Sequence, residues 1–339
     1  MQVRYWGQTY VMGEEMLKIH PLLKLAVEYQ QTIEGYFIPH SYWTDRQGKL
    51  YIRWNMFDKD AEKSVCRYWL DETGELVNER MPIKLNKQEL LRGKDGNSPV
   101  VLITGDTHRN FNRIKYFCRK FQTTVNDILI ILGDAVINCY SGNKDKLLKE
   151  DLAKLPLTLF CIRGNHEQRP ETVEGYKEAK WHGGKVYIEE EYPNLVFAKD
   201  GEIYDIAGKK TMVIGGAYSV DKWERLKMNY KWFEDEQLSE EEKRFVEKQL
   251  EENNWNIDVV LSHTLPYQYR PLDMLMKRNA GFMTDDSMER WLGEIETKLT
   301  YEKWYAGHFH CDRRVDKLQM MFRNVELFCS DIDLNFSME

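Results

Sequence analysis

The chain has 339 residues, 42% hydrophobic and 30% charged, enough for a sizeable core in one large or two modest domains and far from a disordered composition. A formal net charge of −7 argues against a broad duplex-binding surface, although acidic metal ligands would count in that total and a local basic groove is compatible with it. Six cysteines (Cys66, Cys118, Cys139, Cys161, Cys311, Cys329) form no C-x-x-C pair, the start "MQVRYWGQTYVMGEE" has no secretory apolar core, and no run approaches ~20 apolar residues, so a soluble, cytoplasmic protein without a membrane partner is expected.

In chain order, a helix is expected around Glu14 to Glu34, followed by aromatic-rich β segments. There the chain repeats itself: "YWTDRQGKL" from Tyr42 and "YWLDETGEL" from Tyr68 both read Y-W-x-D-x-x-G-x-L. Asp at the start and Gly at the end of such a connection suit a hairpin turn. Tyr42, Trp43, Tyr68 and Trp69 could stack bases or anchor a partner or substrate, or they could fill the core of a small module. A linker-like "RGKDGNSP" ends this region, so residues 1–95 are read as an α+β accessory module and 98–335 as the main domain. Beyond the linker, "SPVVLIT", "DILIIL" and "LTLFCI" read as buried strands, separated by an amphipathic stretch from Arg109 to Lys120 and a helix at "NKDKLLKEDLAKL". That alternation is the βαβαβ pattern of a layered α/β domain. Further strands are expected at "NLVFA", "TMVIGG", "DVVLSH", "KWYAGH" and "VELFC", and a helix at "LSEEEKRFVEKQLEENN" with Ser239 and Glu242 as its capping box.

Polar residues follow these apolar runs in a consistent way. The first ends in "GDTH" (Asp106, His108), the second in "GD" (Asp134) and the third in "GNH" (Asn165, His166). "VVLSH" ends in His263 and "WYAGHFH" in His308 and His310, so five of the eight histidines stand at strand ends. The carboxyl ends of strands in an open α/β sheet converge on one crevice. Oxygen and imidazole donors without thiolates suit divalent Mn, Fe or Zn, and there are enough of them for two ions bridged by a carboxylate. Such a pair can clamp the attacking and leaving oxygens of an in-line displacement at phosphorus. Taken singly, a strand-end Asp is a helix cap and a lone His an ordinary polar residue. Five such pieces in order are a different matter.

"GDTH", "GD", "GNHE", "SH" and "GHFH" together resemble the five blocks of the calcineurin-like metallophosphoesterase family, over roughly Pro99 to Ser330. The resemblance implies an α/β/β/α sandwich of two mixed sheets flanked by helices, with a dinuclear centre at their edge. It implies that Asp106, His108 and His310 bind one metal, that Asn165, His263 and His308 bind the other, and that Asp134 bridges them. His166 would then face the substrate and protonate the leaving oxygen or stabilise the transition state. The serine/threonine phosphatases of the family carry G-D-x-V-D-R-G at the second block, where this chain reads "GDAVINC". Ile137 and Asn138 replace the Asp that orients the catalytic His and the Arg that grips a phosphate monoester. A phosphodiester substrate, a nucleotide or nucleic acid, is therefore favoured. The alternatives are a small-molecule phosphomonoesterase, a protein phosphatase and a non-catalytic scaffold. Arg109, and Tyr218, Asp221 or Arg225 in "GGAYSVDKWER", are candidate substrate contacts, as are Tyr267 and Arg270. Cys311, beside His310, reads as core, and His20, His40 and His182 as ordinary residues.

Overall fold

The computed structural model describes residues 99–271 and 285–329, apart from the side chains of 116 and 119–121, and the backbone of five strands within the first 98 residues. The chain divides into two compact units, 1–90 with 333–339 and 91–332.

In the first unit β1 (Gln2–Tyr5) pairs antiparallel with β2 (Gln8–Val11). A separate sheet runs β3 (Tyr36–Thr44), β4 (Leu50–Phe57) and β5 (Ser64–Leu70), antiparallel throughout. Thr44 lies opposite Leu50, so the first Y-W repeat spans a hairpin. Its turn, the second half of the other repeat and the helix expected at Glu14 to Glu34 lie outside the described residues.

The second unit begins with the expected alternation: β6 (Val101–Thr104), α1 (Asn112–Phe121), β7 (Ile128–Ile131), α2 (Asn143–Leu152) and β8 (Thr158–Cys161). Helix α1 starts at Asn112 rather than Arg109, because His108 (φ 45°) and Arg109 (φ 64°) take the left-handed conformation that ends helical geometry. Next come β9 (Tyr176–Trp181), β10 (Gly184–Glu189), β11 (Leu195–Ala198), β12 (Ile203–Ile206) and β13 (Lys209–Ile214). The short α3 (Lys222–Lys227) and α4 (Glu240–Glu252) follow, then β14 (Val259–Ser262), α5 (Ser287–Lys298), β15 (Lys303–Ala306), β16 (Arg313–Val315), β17 (Leu318–Met320) and β18 (Val325–Leu327). Both bonds of the capping box at Ser239 and Glu242 are present.

The strands form two mixed sheets, ordered β18-β6-β7-β8-β11-β10-β9 and β12-β13-β14-β15-β17-β16. The central strands of each, β6-β7-β8-β11 and β13-β14-β15-β17, are parallel, and antiparallel strands close the edges. Strands covered on both faces need no alternation, which is why "ILII" and "VVLS" are buried at every position. Ile103, Ile130 and Phe160 of one sheet share a core with Val213, Val259, Leu261 and Tyr305 of the other. On the outer face of the second sheet, Met212, Val260 and Trp304 pack with Val246 and Leu250 of α4 and with Met288, Leu292 and Ile295 of α5. Residues of alternate parity in the first sheet, Leu102, Leu129 and Leu159, are buried, as are Ile114 of α1 and Leu152 of α2. The product is an α/β/β/α sandwich. No helix among the described residues is long and apolar enough to cross a membrane.

Candidate metal centre

Parallel pairing in register puts the carboxyl ends of β6, β7 and β8 side by side, and those of β14 and β15 side by side. The turns after them are laced together. Thr107 and His108 donate their backbone N–H groups to the Asp134 carbonyl at 3.2 and 2.9 Å. His166 donates its backbone N–H to Asp134 Oδ1 at 2.9 Å, and His308 donates its own to Asp106 Oδ1 at 2.9 Å. Asp134 (φ 48°), His308 (φ 63°) and His310 (φ 49°) join His108 in the left-handed region. Such backbone costs on the order of 1 kcal/mol or more per residue and persists where the surroundings impose it, commonly at functional sites.

Seven expected ligand residues come together. His310 Nε2 lies 3.1 Å from Asp106 Oδ2 and 2.8 Å from His108 Nε2. Asp134 stands in the middle, with Oδ1 3.7 Å from His263 Nε2 and Oδ2 4.0 Å from His108 Nε2. Asn165 Oδ1 is 2.8 Å from His263 Nε2 and 3.1 Å from His308 Nδ1. Donor atoms of Asp106, His108 and His310 fall within 4.8 Å of one another, as do those of Asp106, Asp134 and His263. Burial would raise the pKa of Asp106, but the His310 hydrogen bond and the charges of His263, His310 and His108 outweigh it and hold the carboxyl well below the usual range. Asp134 is lowered in the same way, burial being overcome chiefly by His263 and His166. Burial and the His263 charge lower His308 to about 3, so its imidazole is neutral and free to act as a donor.

Two observations test whether this donor set fits a cation. Asp106 Oδ2 is buried against two imidazole nitrogens, His310 Nε2 at 3.1 Å and His108 Nε2 at 3.6 Å, three potential donor atoms facing one another. The second comes from following the protons around Asn165. Ser219 Oγ donates to the Glu236 carboxylate and so can only accept from Asn165 Nδ2, at 2.8 Å. That fixes the amide with Oδ1 toward the histidines. His263 Nδ1, 2.7 Å from the Leu132 carbonyl, carries a proton there, so in the neutral tautomer of the ring Nε2 presents a lone pair. Two acceptors, Asn165 Oδ1 and His263 Nε2, therefore face each other at 2.8 Å. A cation between them satisfies both. The residues fit divalent metal, and the backbone carbonyl behind His263 is the kind of outer partner that orients metal-binding imidazoles.

Glycines make the approach close enough. A Cβ on Gly133 (φ 89°) would lie 2.0 Å from His263 Nδ1, and one on Gly164 would lie 2.1 Å from Asp134 Oδ1.

His166 is half-buried at the rim, its Nε2 3.8 Å from Asp134 Oδ2 and 3.3 Å from Arg225 Nη2. Burial lowers its pKa, Asp134 opposes that, and the Arg225 charge adds to the lowering. Arg225 is the one candidate substrate contact found against His166, and its Nε donates to both carboxylate oxygens of Asp221 at 2.8 Å. Arg109 is turned elsewhere: its guanidinium bonds Asp145 at 2.5 Å and the carbonyls of Val136 and Lys144 at 2.8 Å each, closing the loop before α2. Tyr218 is partly buried, with Lys222 5.9 Å from its ring. Arg270 and Arg290 both lie over the Tyr267 ring, and Arg270 also pairs with Asp286. Cys311 packs at the margin of the core. Ile137 and Asn138 are buried, and Asn138 bonds the Tyr176 hydroxyl at 3.0 Å. The sequence reading passed over Ser219 and Glu236, which set Asn165, and Glu167, whose pKa burial and Asp134 raise to about 8. Only the position of Ser219 just after β13 could have marked it.

Two sheets carrying a strand-end cluster of Asp, Asn and His define a metallophosphoesterase-type architecture. The profile of the calcineurin-like phosphoesterases matches residues 99–312, and the chain belongs to that family. Among solved structures, a crystal structure of TT1561 from Thermus thermophilus is 12% identical, with 66% of this chain and 88% of that one covered and a TM-score of 0.37. Another crystal structure is 15% identical, with 65% and 88% covered and a TM-score of 0.37. At such scores neither bears on function. No curated protein matches the chain.

Proposed function

We propose that this protein is a two-metal phosphoesterase acting on phosphodiesters. The observation that carries the reading is the Asp134 carboxylate, whose two oxygens turn to histidines of different groups, His263 and His108. Asp106, His108 and His310 would hold one divalent ion, Asn165, His263 and His308 the other, with Asp134 shared. Ions held there would polarise a phosphoryl oxygen and acidify a water for in-line attack at phosphorus.

The chain's own groups account for the rest. Asp106 and Asp134 stay ionised, because their histidine neighbours hold both carboxyls low. Ser219 keeps the Asn165 oxygen turned inward. Before substrate arrives, burial and Arg225 hold the His166 pKa down. A phosphate between His166 and Arg225 brings the negative charge that raises the imidazole pKa, and the proton so gained can pass to the leaving oxygen. Arg225 is already paired with Asp221, which leaves less positive charge to balance the second charge of a monoester than the single charge of a diester. The buried Asn138, held by Tyr176, contributes no cation to grip a monoester.

The test is a hydrolysis panel with Mn²⁺: a phosphomonoester, a bis-ester, cyclic nucleotides, and single- and double-stranded nucleic acid. Faster turnover of diesters is expected. Preference for the monoester would move the assignment to phosphomonoesterase, and no turnover by fully loaded protein would favour a scaffold.

A further inference from the structure

Immediately after Ser219 the chain presents a surface that its own core leaves uncovered. Val220, Trp223, Leu226, Met228 and Tyr230 are between 44% and 59% exposed, five of the eight large hydrophobic side chains exposed among the described residues. Helix α3 buries none of its residues. Just past its end the chain turns at Asn229 (φ 54°), and the Tyr230 N–H returns to the Arg225 carbonyl at 2.8 Å. Concentrated apolar exposure of this kind marks a binding surface.

Its charge narrows the occupant. Between 220 and 232 stand four cations, Lys222, Arg225, Lys227 and Lys231, against two acids, Asp221 and Glu224, on a chain whose total is −7. Lys227 and Lys231 are exposed and make no ion pair among the described residues. Lys222 is poised over aromatic faces, 4.2 Å from the Trp232 ring centre and 5.6 Å from that of Trp223. Asp221 is taken by Arg225 and flanking Asp235 by Arg169. The patch is also continuous with the reaction centre, since Arg225 reaches His166 at 3.3 Å. Aromatic faces interleaved with cations fit a polyanion whose rings are unstacked. An apolar peptide would leave the cations unused, and a duplex would hide its base faces.

We infer that residues 220–232 form a platform for single-stranded nucleic acid whose scissile phosphate reaches the metal centre, an inference that rests on the diesterase reading above. Trp223 and Tyr230 stack bases, and Lys227 and Lys231 follow the backbone. The probe is a fluorescent oligodeoxythymidylate of about a dozen nucleotides, within the usual site size, titrated by anisotropy in excess chelator so that nothing is cleaved. Trp223→Ala and Tyr230→Ala should each weaken binding by about fivefold or more, while Trp223→Phe retains most of it. Replacing Lys227 and Lys231 with Gln should flatten the slope of log affinity against log salt by about 1.4, at about 0.7 per phosphate contact. Melting temperatures near wild type confirm that the variants fold. Absent binding, equal binding of the duplex, displacement by inorganic polyphosphate at matched phosphate, or wild-type affinity in both alanine variants would each overturn the platform. Bis-ester turnover with Mn²⁺ separates the two claims. Turnover without oligonucleotide binding defeats the platform alone, and binding without turnover defeats the diesterase reading.

Discussion

Gly164→Ala adds one carbon atom at the tightest point of the centre. The new Cβ would sit 2.1 Å from Asp134 Oδ1 and 2.2 Å from the Asp134 backbone nitrogen, where ordinary contact begins near 3.4 Å. The carboxylate and the Asp134 backbone nitrogen must therefore retreat by about 1.3 and 1.2 Å, their shortfalls from 3.4 Å. Asp134 cannot do so freely, because its Oδ1 accepts the His166 N–H at 2.9 Å and its carbonyl accepts from Thr107 and His108. Overpacking of this kind costs about 1–3 kcal/mol of stability, which a domain of this size can survive. Function should suffer more, since a misplacement of about 1 Å can cost 10²-fold in rate. We expect a folded protein with melting lowered by a few degrees, kcat on a bis-ester down by about 10²-fold or more, and weaker metal retention on dialysis. Wild-type turnover with two retained ions would show that Asp134 does not need its present place.

Other perturbations separate the roles of neighbouring groups. His166→Ala should retain metal while lowering the rate by about 10²–10⁴-fold, with a smaller deficit on esters of acidic alcohols that leave without a proton. An equal deficit on good and poor leaving groups would rule out the acid role. Ser219→Ala removes the acceptor that fixes the Asn165 amide, and metal affinity measured by calorimetry should fall about 10–100-fold, the range for outer partners of ligands. Unchanged affinity would make Ser219 merely structural. In chelated protein the Glu167 pKa is raised to about 8 from an ordinary value of 4.5, so the folded state binds more protons than the unfolded state between those values. Stability from this group is thus present at low pH and lost as pH rises through that window, by at most about 1.4 kcal/mol per pH unit. Urea unfolding at pH 6.5 and 8 should show Glu167→Gln gaining on wild type as pH rises, and a constant difference would contradict the raised pKa.

Much of the centre was legible because its chemistry sits where the chain changes character. Each of β6, β7, β8, β14 and β15 is a short apolar run, buried on both sides, that ends in a polar pair, and the fold brings those ends together. The supports were not legible. Glu236 reaches Ser219 across seventeen positions that include the short α3, and nothing local marks a carboxylate as an acceptor for that hydroxyl. Arg109 illustrates the same limit: its sequence position suits a phosphate contact, but Asp145 and two carbonyls outcompete that role in the folded chain. The edge hairpin β9-β10 escaped because "YKEAKW" alternates charges with small or aromatic residues, as exposed edges do. Helix α5 was passed over, although Met288, Trp291, Leu292 and Ile295 repeat at helical spacing and are buried.

The central claim is that one carboxylate serves two ions, and counting metal bound to Asp134→Asn tests it most directly. Chelated wild-type protein and the variant would be titrated with Mn²⁺ under equilibrium dialysis, with bis-ester turnover followed in the same samples. Two ions per wild-type chain, a clear loss of bound metal in the variant and turnover abolished with it are the expected results. An Asp134→Asn protein that holds two ions and turns over the bis-ester near the wild-type rate would contradict the two-metal account.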